Sequence, residues 1–266
     1  MKKQYESPLF SAVALGCFFS VCNWASIAHA QELETPPPPK SAPRPEPYLA
    51  PGTIDYMLLL PPPPGVGSLR DQTDVAVDKE LERDADAERW KAAVEDGDYV
   101  YYRFADAFGR PIRRVSLPRT LYLLNRAIQD VVDPTFRAKK AFHRPRPFQR
   151  YQLSRMCEEE RPPAPEVNPT TGSSYPSGHS AYGWTTALVL AEVAPDRASQ
   201  LLQEAEDYGQ SRLICGMHFS SDVEAGRAIA EAVVQKLHDS GAFRHDLLCA
   251  QAEYKKRVIP SNCPVR

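Results

Sequence analysis

Ser173-Ser174-Tyr175-Pro176-Ser177-Gly178-His179-Ser180 is the stretch on which the reading of this chain turns. Pro176-Ser177-Gly178 is turn chemistry, and the apolar run from Trp184 to Val193 behind it has helical character. Ser177 is placed to cap that helix, its side-chain oxygen accepting from a first-turn N–H. A helix start offers unpaired N–H groups and the positive end of the dipole, so it suits an anion. His179 sets a titratable ring beside that position. Capped turns of this kind are common, so the meaning of this one depends on its flanks.

From about residue 70 the flanks read as helices. Val75 to Ala93 predicts a charge-rich helix and Tyr99 to Phe108 a short one. Leu121, Leu124, Ile128 and Val131 keep helical spacing. Asp133-Pro134 predicts the cap and first turn of a separate helix that carries Lys139 and ends before Pro145. Residues 151–172 hold Pro162, Pro163, Pro165 and Pro169 and read as a long loop. Further helices are expected at 178–193, 196–214 and 221–239, with Gly241 ending the last. Strand patterns are scarce, so the expectation is an all-α domain whose long loop abuts the central turn.

The composition is that of an ordinary globular protein, 42% hydrophobic and 25% charged over 266 residues. A formal net charge of −2 argues against a partner such as a nucleic acid polymer. Residues 1–30 read as an export signal, with Lys2 and Lys3, an apolar run from Leu9 to Ala28, and a small-x-small site at Ala28-His29-Ala30. No later stretch is apolar enough to span a bilayer, so a soluble periplasmic or secreted protein is expected once the signal is cleaved. Residues 31–66 form a proline-rich arm, with runs at Pro36 to Pro39 and Pro61 to Pro64. Leu58, Leu59 and Leu60 are expected to bury it against the helical domain at 67–266. Cys17 and Cys22 leave with the signal, and the remaining Cys157, Cys215, Cys249 and Cys263 suggest two disulfides. Three pairings are possible; Cys157–Cys215 with Cys249–Cys263 is preferred because the second would staple the tail locally. None of the four has zinc-site spacing.

Lys139 is followed after six residues by Arg146-Pro147, ahead of the turn. Beyond the turn come Ser211-Arg212, then His218 after five residues and Asp222 after three more. Each piece alone has a plain structural explanation, such as a solvated charged face. Together they fit one chemistry. Lys139, Arg146 and Arg212 could surround a phosphate, with Ser177 and the N–H groups of Gly178 and His179 completing the cradle. His218 and Asp222 stand four apart, so a helical turn would bring the carboxylate to one ring nitrogen and leave the other as a nucleophile. His179 could then protonate the leaving oxygen. Such a phosphoryl-transfer site needs no metal, because fixed cations and amides meet the charge of the transition state.

The set Lys-x6-Arg-Pro, Pro-Ser-Gly-His and Ser-Arg-x5-His-x3-Asp resembles the signature of the type 2 phosphatidic acid phosphatase superfamily. Within it the chain resembles the bacterial class A non-specific acid phosphatases, from about Leu60 to Lys256. The likeness includes Leu60 with Pro61 to Pro64, Tyr175 to His179, Gly183 to Glu192 and Ser211 to Asp222. Ser173 stands where the family usually has glycine, and Ser180 where it usually has threonine. A second pair, Arg144-Pro145, adjoins Arg146, but only Arg146 keeps register with Lys139. Cys249 and Cys263 are unlike most members.

The resemblance implies a compact helical bundle of the type shared with vanadium haloperoxidases, commonly a homo-oligomer, with no metal or cofactor. It implies His218 as the nucleophile forming a phosphohistidine, Asp222 as its orienting carboxylate, and His179 as general acid and then base. Lys139, Arg146, Ser177, Gly178 and Arg212 would bind the phosphoryl oxygens of small phosphomonoesters. An acidic optimum is expected, because His179 must be protonated, with an imidazole pKa of about 6.5, and a phosphomonoester has a second pKa of about 6. Three other readings stand beside this one: a haloperoxidase holding vanadate in the same cradle, a lipid phosphatase, and a secreted binding module acting through the proline arm.

Overall fold

The computed structural model describes residues 45–97, 100–157 and 172–264. The expected export signal, the start of the arm and most of the proline loop lie outside the described residues. The helices are α1 (Tyr56–Leu59), α2 (Leu69–Asp84), α3 (Ala87–Glu95), α4 (Val100–Arg103), α5 (Ala105–Phe108), α6 (Pro118–Phe142), α7 (Pro147–Arg150), α8 (Gly178–Val193), α9 (Ala198–Ile214), α10 (Ser220–Leu237) and α11 (Gly241–Tyr254). Among the described residues there is no strand, as the scarcity of alternating patterns predicts. No helix there is long and apolar enough to cross a membrane.

The bundle is organised around α8. Its buried residues, among them Ala181, Thr185, Ala187, Val189 and Leu190, occupy several faces, as expected of a helix enclosed by others. α9 and α10 pack closely on it, and α6 and α11 cover other sides. The closest approach is at Gly226 of α10, where a Cβ would meet the Ser177 carbonyl oxygen at 2.4 Å. α10 can therefore lie almost against the first turn of α8.

Four sequence expectations are corrected. The helix expected over Val75 to Ala93 is two, α2 and α3, because Asp86 caps a new start by accepting from Arg89 N–H. The helix expected over Tyr99 to Phe108 is likewise two short turns, α4 and α5. Asp133 caps nothing: α6 runs unbroken through the buried Pro134. The side chains around that proline are engaged by the arm instead. Tyr48 and Leu49 donate their N–H groups to Asp130 at 3.0 and 2.7 Å, and Gly52 donates to Asp133 at 2.9 Å. Gly241 does not end a helix; Ser240 caps α11 there, a helix the sequence reading lacked.

The arm buries Leu60, half-buries Leu59 and leaves Leu58 88% exposed, so only part of that leucine run docks. Arg126 stacks on the Tyr48 ring at 3.8 Å, and the Tyr48 hydroxyl donates to Asp246 of α11 at 2.8 Å. The N-terminus of α6 is capped from a distance, because Glu253 of α11 accepts from the N–H groups of Arg119 and Thr120 at 3.1 and 2.9 Å. Both expected disulfides, Cys157–Cys215 and Cys249–Cys263, are formed.

Gly226→Ala tests the α8–α10 approach. Helix propensity alone would favour alanine by about 1 kcal/mol. The clash is with backbone and cannot be relieved by a rotamer change, so overpacking of about 1–3 kcal/mol should dominate. The expected outcome is a Tm lowered by several degrees; a raised Tm would contradict the packing described.

Candidate active site

Three local structures bring the motif residues together. The first is the end of α9. Gly216 takes a left-handed φ of +65°, and the Arg212 carbonyl accepts from both Met217 and His218 N–H at 2.9 and 3.2 Å. The chain doubles back, setting His218 beside Arg212, which is the physical content of their six-residue separation. The second is the start of α10. Asp222 lies in its first turn, and Oδ2 accepts the Phe219 N–H at 2.8 Å. His218 stands just before the helix, so a helix start rather than a helical interior relates the two residues. The third is the start of α8, where the Ser177 side chain accepts from Ser180 N–H at 3.2 Å, the expected cap. Ser177 N–H in turn donates to the Asp222 carbonyl at 2.8 Å and joins two of these structures directly.

The ring of His218 is buried, and its two nitrogens meet different surroundings. Arg146 Nη1 lies 3.2 Å from Nε2. A guanidinium only donates, so this geometry assigns the lone pair to Nε2 and the proton to Nδ1. Nδ1 faces Asp222 Oδ2 at 3.6 Å, too far for the direct hydrogen bond expected from the sequence. Ser174 occupies the gap: its Oγ is 2.5 Å from Asp222 Oδ2 and 3.5 Å from Nδ1. The carboxylate therefore faces the ring partly through a hydroxyl.

The cations are oriented largely by carbonyl oxygens. Lys139, near the end of α6, donates to Ser173 O at 2.6 Å and to Ser174 O at 3.4 Å. Arg146 donates to Met217 O at 2.7 Å and Gly172 O at 3.2 Å. Arg212 donates to Ala93 O, at the end of α3, at 2.8 Å. Gly178 lies against Lys139, whose Cε would stand 4.0 Å from an added Cβ. His179 is partly buried, lies near the Gly97 backbone, and packs near the Tyr208 ring.

Every residue singled out from the sequence thus falls in one neighbourhood. The electrostatics show the same concentration of positive charge. Burial, followed by the charges of Arg146, Lys139, His179 and Arg212, holds His218 well below the usual imidazole range. Burial and the charges of Arg212 and Arg146 lower His179 to about 3. Lys139 is lowered to about 7 by burial and by Arg146. The ordinary value assumed for His179 is corrected accordingly: its ring is neutral over most of the acidic range in this environment.

Two residues were passed over. Ser174 lay inside the central stretch without an assigned role. Arg144 was set aside as out of register, yet it is buried and donates to Asp222 Oδ1 at 2.7 Å. The doubled Arg-Pro was the available signal for it. One further cluster, His245 with Cys249 and Cys263, has metal-ligand residue types, but its cysteines are bonded to each other.

The PAP2 superfamily profile matches residues 120–240, the span holding every motif residue. A non-specific acid phosphatase of Providencia stuartii is 34% identical over 255 residues, covering 93% of this chain and 98% of that protein. An acid phosphatase of Zymomonas mobilis is 34% identical over 214 residues, 79% of each chain. A non-specific acid phosphatase of Salmonella typhimurium is 35% identical, over 76% of this chain and 80% of its own length. Similar to these enzymes at about one residue in three along most of its length, the chain belongs to the bacterial non-specific acid phosphatases of the PAP2 superfamily and is itself an acid phosphatase.

Proposed function

We propose that this acid phosphatase hydrolyses phosphate monoesters through a phosphohistidine on His218, without a metal ion. The observation that carries this reading is the contact of 3.2 Å between Arg146 Nη1 and His218 Nε2. It supports Nε2 as the nitrogen bearing the lone pair and is consistent with Arg146 as a phosphate-binding group beside it. In the first step Nε2 attacks phosphorus and the P–O bond to the alcohol breaks, while His179 passes to the departing oxygen a proton that it takes from the bound phosphate monoester. In the second, His179 takes a proton from water, the oxygen attacks phosphorus, and the P–N bond breaks to return neutral His218. Lys139, Arg146, Arg212, Ser177 and the Gly178 amide meet the phosphoryl oxygens, and Asp222 balances the charge on the phosphorylated ring.

These contacts address the phosphoryl group, which suits broad specificity for the alcohol portion, and the relatives named non-specific point the same way. Export to the periplasm or beyond belongs to the same reading. Residues 1–30 have the pattern of a cleaved signal, and the four remaining cysteines are paired as in an oxidising compartment.

The deciding experiment is to trap the intermediate from labelled substrate with an alkaline quench, in which phosphohistidine survives, and to map the label. It should sit on His218, and His218→Ala should abolish both label and turnover. His179→Ala should lose about 10²–10⁴ in rate, least with substrates whose leaving groups need no proton. A label on another residue would overturn the proposal.

Activity should survive exhaustive treatment with EDTA. Loss of activity that zinc or magnesium restores would show that a metal supplies charge assigned here to the side chains.

The pH profile follows from the lowered His179. A neutral His179 must obtain the proton for the leaving group from the substrate, whose phosphate holds one below a second pKa of about 6. The alkaline limb of kcat/KM should therefore track the substrate's second ionisation. It should move to lower pH for a thiophosphate ester, which ionises more readily. A limb that stays at one pH for both substrates would place the proton on the enzyme instead.

A further inference from the structure

We propose that Arg144 is a positioning residue for the reaction, holding Asp222 and Ser174 against the Nδ1 side of the His218 ring. The inference rests on the reading of His218 as nucleophile. It goes beyond that reading by assigning work to an arginine outside the phosphate cradle.

The geometry separates the two arginines of Arg144-Pro145-Arg146-Pro147. Arg146 meets Nε2, where phosphorus would bond. Arg144 works on the opposite side of the ring. Its Nη1 donates to Asp222 Oδ1 and to Ser221 Oγ, both at 2.7 Å. Its own carbonyl accepts the Ser174 N–H at 2.7 Å, and Ser174 Oγ donates to Asp222 Oδ2 at 2.5 Å. Side chain and backbone of one residue thus hold both groups that face Nδ1. With Oδ1 occupied by Arg144, Asp222 keeps Oδ2 directed to Ser174, the Phe219 amide and the ring.

Arg144 is in turn anchored by α2. Its Nη2 donates to Asp74 Oδ2 at 2.7 Å, and Asp74 Oδ1 accepts from Ser220 Oγ and Ser221 N–H at 2.7 and 3.1 Å. The Phe219 ring lies 4.2 Å from the guanidinium carbon. The buried residues of α2 are Asp71, Asp74, Asp78 and Glu82, so this helix presents carboxylates inward. Asp71 takes Arg150 through both oxygens at 2.5 and 2.8 Å. This explains a helix that would be misplaced on hydrophobicity alone: it receives the arginines that flank the site. Arginine suits the position because it stays charged and engages two carboxylates with one planar group. When Nε2 is phosphorylated the ring becomes cationic, and a carboxylate displaced from Nδ1 would stabilise it less.

The test is single-turnover release of nitrophenol from p-nitrophenyl phosphate with enzyme in saturating excess. This reads the phosphorylation step independently of the folded fraction. Arg144→Lys keeps a charge but cannot span Asp74 and Asp222, and its rate should fall about 10²-fold, the scale of a small misplacement. Asp74→Asn removes the anchor without touching Asp222 and should fall in the same direction by less. Inhibition by inorganic phosphate should change by under about threefold in both, whereas Arg146→Lys should weaken it strongly. An unchanged single-turnover rate in Arg144→Lys, even with a lowered Tm, would overturn the positioning role. So would a loss confined to phosphate affinity. The wild-type label map keeps the two readings apart: label away from His218 overturns the nucleophile assignment, and label on His218 with an unchanged Arg144→Lys rate overturns only this inference.

Discussion

One backbone hydrogen bond, from the Ser177 N–H to the Asp222 carbonyl, ties the first turn of α8 to the first turn of α10. Most of the site is referred to that junction. Ser177, Gly178 and His179 leave it along α8, while Asp222 lies in the first turn of α10 and His218 just before that helix. The junction is possible only because Gly226 has no side chain to hold the helices apart. Two helix starts so close together also bring their positive dipole ends to one place, which suits an anion before any side chain is counted.

The side chains add to that field. Lys139, Arg146 and Arg212 are all buried around a histidine that is itself buried. Gathering like charges at low dielectric is unfavourable, and the lowered values of Lys139, His179 and His218 express that directly. On the proposed reading, a phosphoryl group carries the charge that relieves it. The site is therefore a local departure from what stability alone would select, as functional sites commonly are. The rest of the structure holds it in place: α3 offers a carbonyl to Arg212, α2 offers carboxylates to Arg144 and Arg150, and the Cys157–Cys215 bridge secures the chain where α9 turns toward His218.

On the proposed reading, the two arginines of the doubled Arg-Pro divide into a binding group and a supporting one. They stand two residues apart and are almost equally buried, yet they meet opposite nitrogens of the same ring, one directly and one through Asp222. Spacing from Lys139 picks out Arg146 but is silent on Arg144, whose partners lie some 70 and 78 residues away along the chain.

Features governed by neighbouring residues were legible from the letters alone. The Ser177 cap, the helical class and the gathering of motif residues follow from turn chemistry, periodicity and spacing, and the expected cysteine pairing was formed as well. Features governed by distant partners were not. Pro134 continues α6 where local rules would break it, with Asp130 and Asp133 taken by the arm rather than by a helix start. Glu253 caps α6 from another helix, and Ser174 stands between Asp222 and His218. The ordinary acidity expected of His179 gave way to a value near 3, because burial and two arginines brought in by folding outweigh the intrinsic chemistry of its ring. Local backbone preferences are written residue by residue, whereas charge, burial and hydrogen-bond partners exist only once remote segments have met.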